Sequence, residues 1–196
     1  MTFRGHAATL IRTVGFLGLM LNAPVSLAGQ TCFRGRPQPR CAGFTVLEFT
    51  GAVRLNDKTG PTDEAPAFIY WSGGYLRNVG ASSAIGAAFK VTADSDGHRY
   101  GPVARYRHWL GATTSIDIAP GLFVGGEDNF VDLAFPSTTA DVALNYGDWF
   151  GVALGLDALR QTGGGTQWQG HAGVRFGSWL APLVTLGLGV LVGATY

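Results

Sequence analysis

The fold is most evident in the stretch Phe44-Thr-Val-Leu-Glu-Phe-Thr-Gly-Ala-Val-Arg-Leu-Asn56, whose side chains alternate between two unlike faces. A repeat of two residues is the period of a β-strand, whose successive side chains point to opposite sides. Bulky apolar residues share one face, and charged, polar or small residues share the other. The first face holds Leu47, Phe49, Val53 and Leu55, and the second holds Glu48, Thr50, Ala52 and Arg54. The stretch therefore predicts a two-faced strand.

The same alternation recurs along most of the chain, in segments of similar length. The clear copies are 82–94, 138–146, 150–159, 167–176 and 183–196, and weaker ones cover about 67–79, 100–110 and 114–124. Short turns that contain glycine alternate with longer connections between these segments, as in a series of hairpins. We therefore predict an all-β fold, a small antiparallel up-and-down β-barrel of about eight strands, within a range of eight to ten.

The polar face of the predicted strands is rich in small residues and carries charges of both signs. A soluble barrel would turn its bulky face inward, whereas a narrow polar interior needs small side chains and paired charges. Transmembrane barrels have this second arrangement, with aliphatic side chains toward lipid. We expect Arg105 and Arg107 to form interior ion pairs. The further predicted interior charges are Glu48, Lys90, Asp141, Asp157 and Arg175.

A short motif, aromatic-x-x-Trp followed by an apolar and a small residue, repeats at the predicted short turns. Aromatic residues at one end of every hairpin are typical of the girdle at a membrane interface. The alternative is that the Trp residues close one end of a soluble barrel. We predict the girdle, and its members are Tyr106, Trp109, Tyr146, Trp149, Phe176 and Trp179.

The first 28 residues predict export from the cytoplasm by a cleavable signal peptide. Arg4 and Arg12 give a positive start, and Val14–Leu21 is an apolar run. Ser26 and Ala28 are small residues at positions −3 and −1 of a cleavage site. The apolar run is too short to cross a bilayer as a helix, which takes about 20 residues. The predicted domains are a signal peptide at 1–28, an N-terminal loop at 29–43 and a β-barrel at 44–196.

Cys32 and Cys41 are the two cysteines of the chain, and both lie in the predicted loop. Export to an oxidising compartment favours a disulfide between them over free or metal-bound thiols. Of the 14 Lys and Arg, two lie in the signal peptide, which leaves 12 against 13 Asp and Glu, a net charge of −1. Phosphate binding needs a basic excess, so nucleic acid is not an expected partner.

The chain ends on Tyr196, with apolar residues at every second position before it. Together with the signal peptide and the hairpin layout, this pattern resembles the small OmpA/OmpX-type class of outer-membrane β-barrels, over about residues 44–196. The resemblance implies an outer-membrane location, contact with outer-membrane lipid and insertion by the barrel-assembly machinery. It also implies that Tyr196 is the C-terminal assembly signal, and it leaves the oligomeric state open.

Two points about the strands stay open. The segments number nine, whereas bacterial barrels of this class have an even number of strands. Either one segment lies outside the barrel, or a strand near Phe130–Phe135 is missed. The C-terminal segment 180–196 suits a strand by its alternation and an apolar helix by its run GLGVLVG, which favours close helix packing.

The sequence contains no recognisable catalytic set, metal site or cofactor motif. His108 and His171 lie on predicted strands, but neither has a serine two residues later, as outer-membrane lipid A deacylases do. We therefore expect both histidines to line the interior, since a catalytic histidine needs a nucleophile within reach. The predicted function is that of a non-enzymatic integral outer-membrane barrel with an envelope-structural or surface-interaction role. The alternatives are a soluble exported barrel that binds an apolar ligand and an outer-membrane lipid-modifying enzyme.

Overall fold

The computed structural model describes residues 42–56, 67–94, 97–128, 132–147, 149–177 and 180–181. Nine β-strands account for most of these residues, and eight of them follow the alternating stretches of the sequence. Their bounds are β1 Gly43–Arg54, β2 Ala67–Asn78, β3 Ser83–Ala93, β4 Gly97–Trp109, β5 Thr114–Phe123, β6 Gly125–Asp128, β7 Leu133–Tyr146, β8 Phe150–Gln161 and β9 Thr166–Phe176. Buried and exposed side chains alternate along the long strands, as a strand with two different faces requires.

Eight of the strands form a closed antiparallel barrel. They pair in the order β1, β2, β3, β4, β5, β7, β8 and β9, and β9 pairs back with β1. Closure gives each of the eight two neighbouring strands, which removes the edges that an open sheet presents. β6 is an extra strand of four residues that follows β5 after Val124 and pairs with the start of β4. The predicted all-β barrel of about eight strands is confirmed.

The register of the strands fixes their tilt. Paired residues followed round the sheet from Phe44 lead back to β1 at Arg54, ten residues farther along the strand. In a barrel of eight strands this stagger corresponds to a tilt of about 40° from the barrel axis. A strand of 12 residues then rises about 30 Å along the axis, close to the thickness of a bilayer's hydrocarbon core.

The two ends of the barrel differ in their connections. At one end, which we call the turn end, three or four residues join β2 to β3, β4 to β5 and β7 to β8. At the other end, the loop end, the connections range from three residues between β3 and β4 to twelve between β1 and β2. Because the number of barrel strands is even, β1 begins and β9 ends at the same end, the turn end.

The structure answers the open question of strand number. Of the nine segments of the sequence, eight correspond to the strands that close the barrel, with β9 paired to β1, and 183–196 lies outside the described residues. The expected start of β7 at residue 138 is wrong, because the strand begins at Leu133 and its register with β8 shifts between Ala134 and Thr138. Pro136 lies within this irregular part, and a proline has no N–H to donate to a neighbouring strand.

Several predictions lie outside the described residues. They concern the signal peptide at 1–28, the Cys32–Cys41 disulfide, Trp179, and the segment 182–196 with its terminal Tyr196. Within the described ranges, no helix has the length and apolar character needed to cross a membrane.

Candidate functional site

Apolar side chains cover the outer wall of the barrel. Leu47, Val142 and Leu154 point away from the interior, and 38%, 50% and 57% of their respective side-chain surfaces are exposed. Every barrel strand contributes at least one large exposed apolar side chain, among them Val53, Tyr75, Ile85, Tyr100, Ile118, Leu144, Val152 and Val174. Such a wall is typical of a barrel that spans a membrane. The bulky apolar face predicted from the sequence is therefore the outer face.

Several of the predicted interface aromatics lie on this wall near the turn end. Tyr106, Tyr146 and Trp149 are exposed, and the ring of Tyr146 packs on that of Phe150. The ring of Phe176 lies against that of Phe49, with centroids 6.2 Å apart. These side chains put aromatic rings where the strands end, which is the place of an interfacial girdle.

Trp109 differs from the other predicted interface aromatics, because it points into the barrel. It is 4% exposed and packs edge-on against Phe44, with ring centroids 5.7 Å apart. The reason is the spacing within the motif. Tyr106 and Trp109 lie three residues apart on one strand, so they face opposite sides of the sheet. Tyr146 and Trp149 both stay outside because β7 ends between them.

Five charged side chains meet inside the barrel toward the turn end, and each is at most 3% exposed. This turn-side cluster consists of Glu48, Arg105, Arg107, Asp117 and Arg175. Arg105 donates to both oxygens of Glu48, at 2.7 and 3.1 Å, and it also bonds Asp117. Arg107 donates to Glu48 Oε1 at 3.0 Å and to Asp117 Oδ1 at 2.6 Å. Arg175 Nη1 lies 3.3 Å from Glu48 and 3.4 Å from Asp117, so the cluster joins β1, β4, β5 and β9.

A second set of polar side chains, the mid-barrel cluster, lies farther toward the loop end. It consists of Lys90, Thr139, Asp141, Asp157 and His171. Lys90 Nζ donates to Asp141 at 2.7 Å and to Thr139 at 3.1 Å, and Thr139 donates to Asp157 at 2.6 Å. His171 Nε2 lies 2.9 Å from Asp141 Oδ1. The ring of Tyr70 lies 4.5 Å from Lys90 Nζ, which is a cation–π contact.

A third set, the loop-side cluster, consists of Arg54, Asp94, Arg99 and Gln169. Arg54 donates to Asp94, and Arg99 Nη2 lies 3.9 Å from the same carboxylate. Arg99 also donates to Gln169 at 3.2 Å. The two guanidinium groups lie 5.6 Å from the ring centroids of Phe68 and Phe123, respectively. Charge and aromatic surface therefore alternate along the interior.

Apolar side chains close the interior at the turn end. Phe44, Val46, Leu76, Ala84 and Trp109 form one buried cluster there. Near Glu48, Arg107 and Asn145 a void of about 10 Å³ remains, which is the size of one water molecule. Side chains thus pack the interior of the described barrel, as expected for a barrel of eight strands.

The structure places all five predicted interior charges inside the barrel. Glu48 and Arg175 lie in the turn-side cluster, and Lys90, Asp141 and Asp157 lie in the mid-barrel cluster. Arg105 and Arg107 make interior ion pairs, as the sequence suggests.

Sequence reasoning missed Asp117, whose carboxylate binds three arginines. The signal was present, because Ser115, Asp117 and Ala119 alternate with Ile116 and Ile118. The alternation of this strand is less regular than that of β1, and a single sequence does not show which strands of a barrel face one another. Asp94 and Arg99, which belong to the loop-side cluster, were missed in the same way.

The two histidines have different positions. His171 lines the interior as expected, but His108 faces outward and its Nδ1 lies 3.0 Å from Ser83 Oγ. The expectation for His108 is wrong because it follows the inward Arg107 by one residue, and neighbours on a strand face opposite sides.

The described part of the interior does not form a hydrolytic triad around His171 and Asp141. A triad needs a nucleophile bonded to the histidine, whereas the hydroxyl of Thr139 donates to Asp157. In the part of the chain that the structure describes, no group of three or more His, Cys, Asp and Glu side chains could hold a metal ion. The arrangement is that of a cross-linked interior.

No protein-family model and no curated protein sequence matches the chain. Two solved structures are similar to it. One is described as a de novo designed transmembrane β-barrel, with 9% identity, a TM-score of 0.39, and coverage of 68% of this chain and 94% of that one. The other is the Yersinia pestis outer-membrane protein Ail in a phospholipid bilayer nanodisc, with 12% identity, a TM-score of 0.41, and coverage of 68% and 98%. The register and burial described above show the architecture predicted from the resemblance, a closed antiparallel barrel of eight strands with an apolar outer wall and a charged interior.

Proposed function

We propose that this protein is an integral outer-membrane β-barrel without enzymatic activity, which serves the structure of the envelope or an interaction at its surface. The observation that carries the proposal is the reversal of the usual pattern of burial. Apolar side chains such as Val142 and Leu154 are exposed, and charged side chains such as Lys90 and Arg107 are buried.

The apolar outer wall of the barrel has a lower free energy in lipid than in water. Burial of apolar surface away from water contributes about 25 cal/mol per Å². The exposed apolar side chains continue round the whole barrel, whereas a soluble monomer rarely exposes an apolar patch of more than about 300–600 Å². A bilayer covers such a wall, and the closed sheet gives every barrel strand a neighbouring strand on both sides.

The interior argues against an apolar ligand and against a wide pore. The soluble alternative needs an apolar cavity, but three ion clusters occupy the described interior. The same clusters, together with the buried apolar cluster around Phe44 and Trp109 at the turn end, fill the space that a porin leaves open to water. We propose outer-membrane lipid and the barrel-assembly machinery as the partners in this role.

Fractionation of cells tests the membrane part of the proposal. The protein should resist carbonate extraction and dissolve in detergent, and a freely soluble periplasmic pool would contradict the proposal. Reconstitution in a planar bilayer tests the absence of a pore. We expect no steady open-channel current, and a large stable conductance would exclude a packed interior.

A lipid-modifying activity is the second alternative, and His171 is the residue that would have to support it. An activity on outer-membrane lipid that is lost in His171→Ala, but retained in His108→Ala, would support an interior catalytic site. We expect neither variant to change the lipid composition of the membrane.

A further inference from the structure

Three polar groups inside the barrel have no hydrogen-bond partner among the described residues: Thr50 Oγ1, Tyr70 Oη and Arg175 Nε. Thr50 and Tyr70 are at most 1% exposed, and Arg175 is 3% exposed, so bulk water does not reach them. A buried donor without a partner costs about 1–3 kcal/mol. Three such groups together indicate a bound species that the described residues do not themselves supply.

The three groups are neighbours in the sheet. Thr50 on β1 pairs with Tyr70 on β2 and with Arg175 on β9. The Cβ atoms of directly opposite residues in an antiparallel sheet lie about 4.5–5.5 Å apart. Arg175 also reaches Glu48 of the turn-side cluster, and the Tyr70 ring contacts Lys90 of the mid-barrel cluster. The three unpartnered groups therefore belong to side chains that lie side by side on the inner face, between these two clusters.

The charge of the turn-side cluster favours an anion at this place. Three guanidinium groups, those of Arg105, Arg107 and Arg175, contact two carboxylates in this cluster, those of Glu48 and Asp117. The Nε of Arg105 also has no partner among the described residues, and a guanidinium N–H can only donate. A positive charge left unbalanced in a low-dielectric interior is costly. A small anion would bring the cluster to neutrality.

The mid-barrel cluster does not supply the missing negative charge through direct contact. Asp141 accepts from Lys90 and His171, and Asp157 accepts from Thr139, so the contacts of both carboxylates stay within their own cluster. Neither carboxylate therefore accepts from the Nε of Arg175, and a bound anion would supply that acceptor.

We propose that Thr50, Tyr70 and Arg175 bind a small monovalent anion, such as chloride, inside the barrel. The two hydroxyl groups and the Nε–H of Arg175 donate hydrogen bonds to the ion. The ion is then a structural component of the interior, which joins β1, β2 and β9 where the barrel closes.

Urea unfolding of the full chain in detergent micelles tests this site. Ionic strength is held constant while sodium gluconate, whose anion is too large for the site, is replaced by sodium chloride or bromide. We expect the unfolding midpoint to rise with the concentration of either halide. Equal midpoints in all three salts would overturn the proposal and leave water as the species at the site.

Matched variants separate this site from general effects of salt. Thr50→Val and Tyr70→Phe each remove one hydroxyl with little change in shape, and each should reduce the halide-dependent rise. Thr92→Val is the control, because the buried hydroxyl of Thr92 already donates to the Arg99 carbonyl, and it should keep the full rise. A rise that is unchanged in Thr50→Val and in Tyr70→Phe would contradict the site.

Crystals grown in sodium bromide give a second measurement that needs no variant. We expect an anomalous peak within contact distance of Thr50 Oγ1, Tyr70 Oη and Arg175 Nε. A water molecule or empty space at that position would refute anion binding.

Discussion

Replacing Asp117 with asparagine removes one negative charge from the turn-side cluster while it keeps the shape of the side chain. In the native protein this carboxylate accepts from Arg105 and from Arg107 Nε and Nη2, and Arg175 lies 3.4 Å away. Asp117→Asn leaves three guanidinium groups with Glu48 as the remaining carboxylate of the cluster. Loss of one partner from a buried ion pair costs about 3–5 kcal/mol. We expect the free energy of unfolding to fall by that amount.

The assay is equilibrium urea unfolding in detergent micelles, with Asp132→Asn as the control. Asp132 is exposed just before β7, where an ion pair contributes at most about 1 kcal/mol. A loss for Asp117→Asn no larger than that of the control would refute the reasoning. The double variant Asp117→Asn/Arg107→Gln sharpens the test, because it restores the net charge of the native cluster. Its loss should fall short of the sum of the two single losses by about 0.5–3 kcal/mol.

Three further changes test other parts of the structure. Val152→Arg puts a charge on the apolar wall, and it should lower the stability of the barrel in lipid vesicles by up to about 2–4 kcal/mol, depending on its depth; an unchanged stability would mean that this wall does not face lipid. A Cβ at Gly155 would collide with His171 Nε2 and Asp141 Oδ1, so Gly155→Ala should destabilise the barrel in urea, whereas Gly51→Ala, which meets open space, should not. Trp109→Ala should lose about 3–5 kcal/mol of unfolding free energy, as for a buried aromatic, and a loss below 1 kcal/mol would place Trp109 outside the interior.

The sequence predicts the strands and their faces well, because both depend on local alternation. Leu47 and Glu48 are adjacent in the sequence, and Leu47 faces outward whereas Glu48 faces the interior. Alternation is visible in any window of a few residues, so β1, β3, β8 and β9 are evident before the structure is known. The irregular start of β7 is not evident from the sequence, because Pro136 interrupts both the alternation of side chains and the register with β8.

The contacts across the barrel could not be predicted, because they depend on the stagger between strands. Arg105 and Arg107 on β4 contact Asp117 on the neighbouring strand β5, but they also donate to Glu48, which reaches them from β1 across the interior. The ten-residue stagger also determines that Lys90 contacts Asp141, and that the hydroxyl of Tyr70 has no partner among the described residues. A single sequence fixes which side chains face inward, but it does not fix at which height each of them lies.

The central claim is that the apolar wall lies in lipid and the charged interior is sealed from it. Nitroxide labels on single cysteines at Val142 and Leu154, in a Cys32→Ser/Cys41→Ser background in lipid vesicles, measure this directly. A wall in lipid predicts frequent collision with oxygen, which dissolves in lipid, and rare collision with a water-soluble nickel chelate. A label at Thr162, which is exposed at the loop end, should show the reverse and serves as the control. Collision with the nickel chelate at Val142 and Leu154 as frequent as at Thr162 would contradict the account.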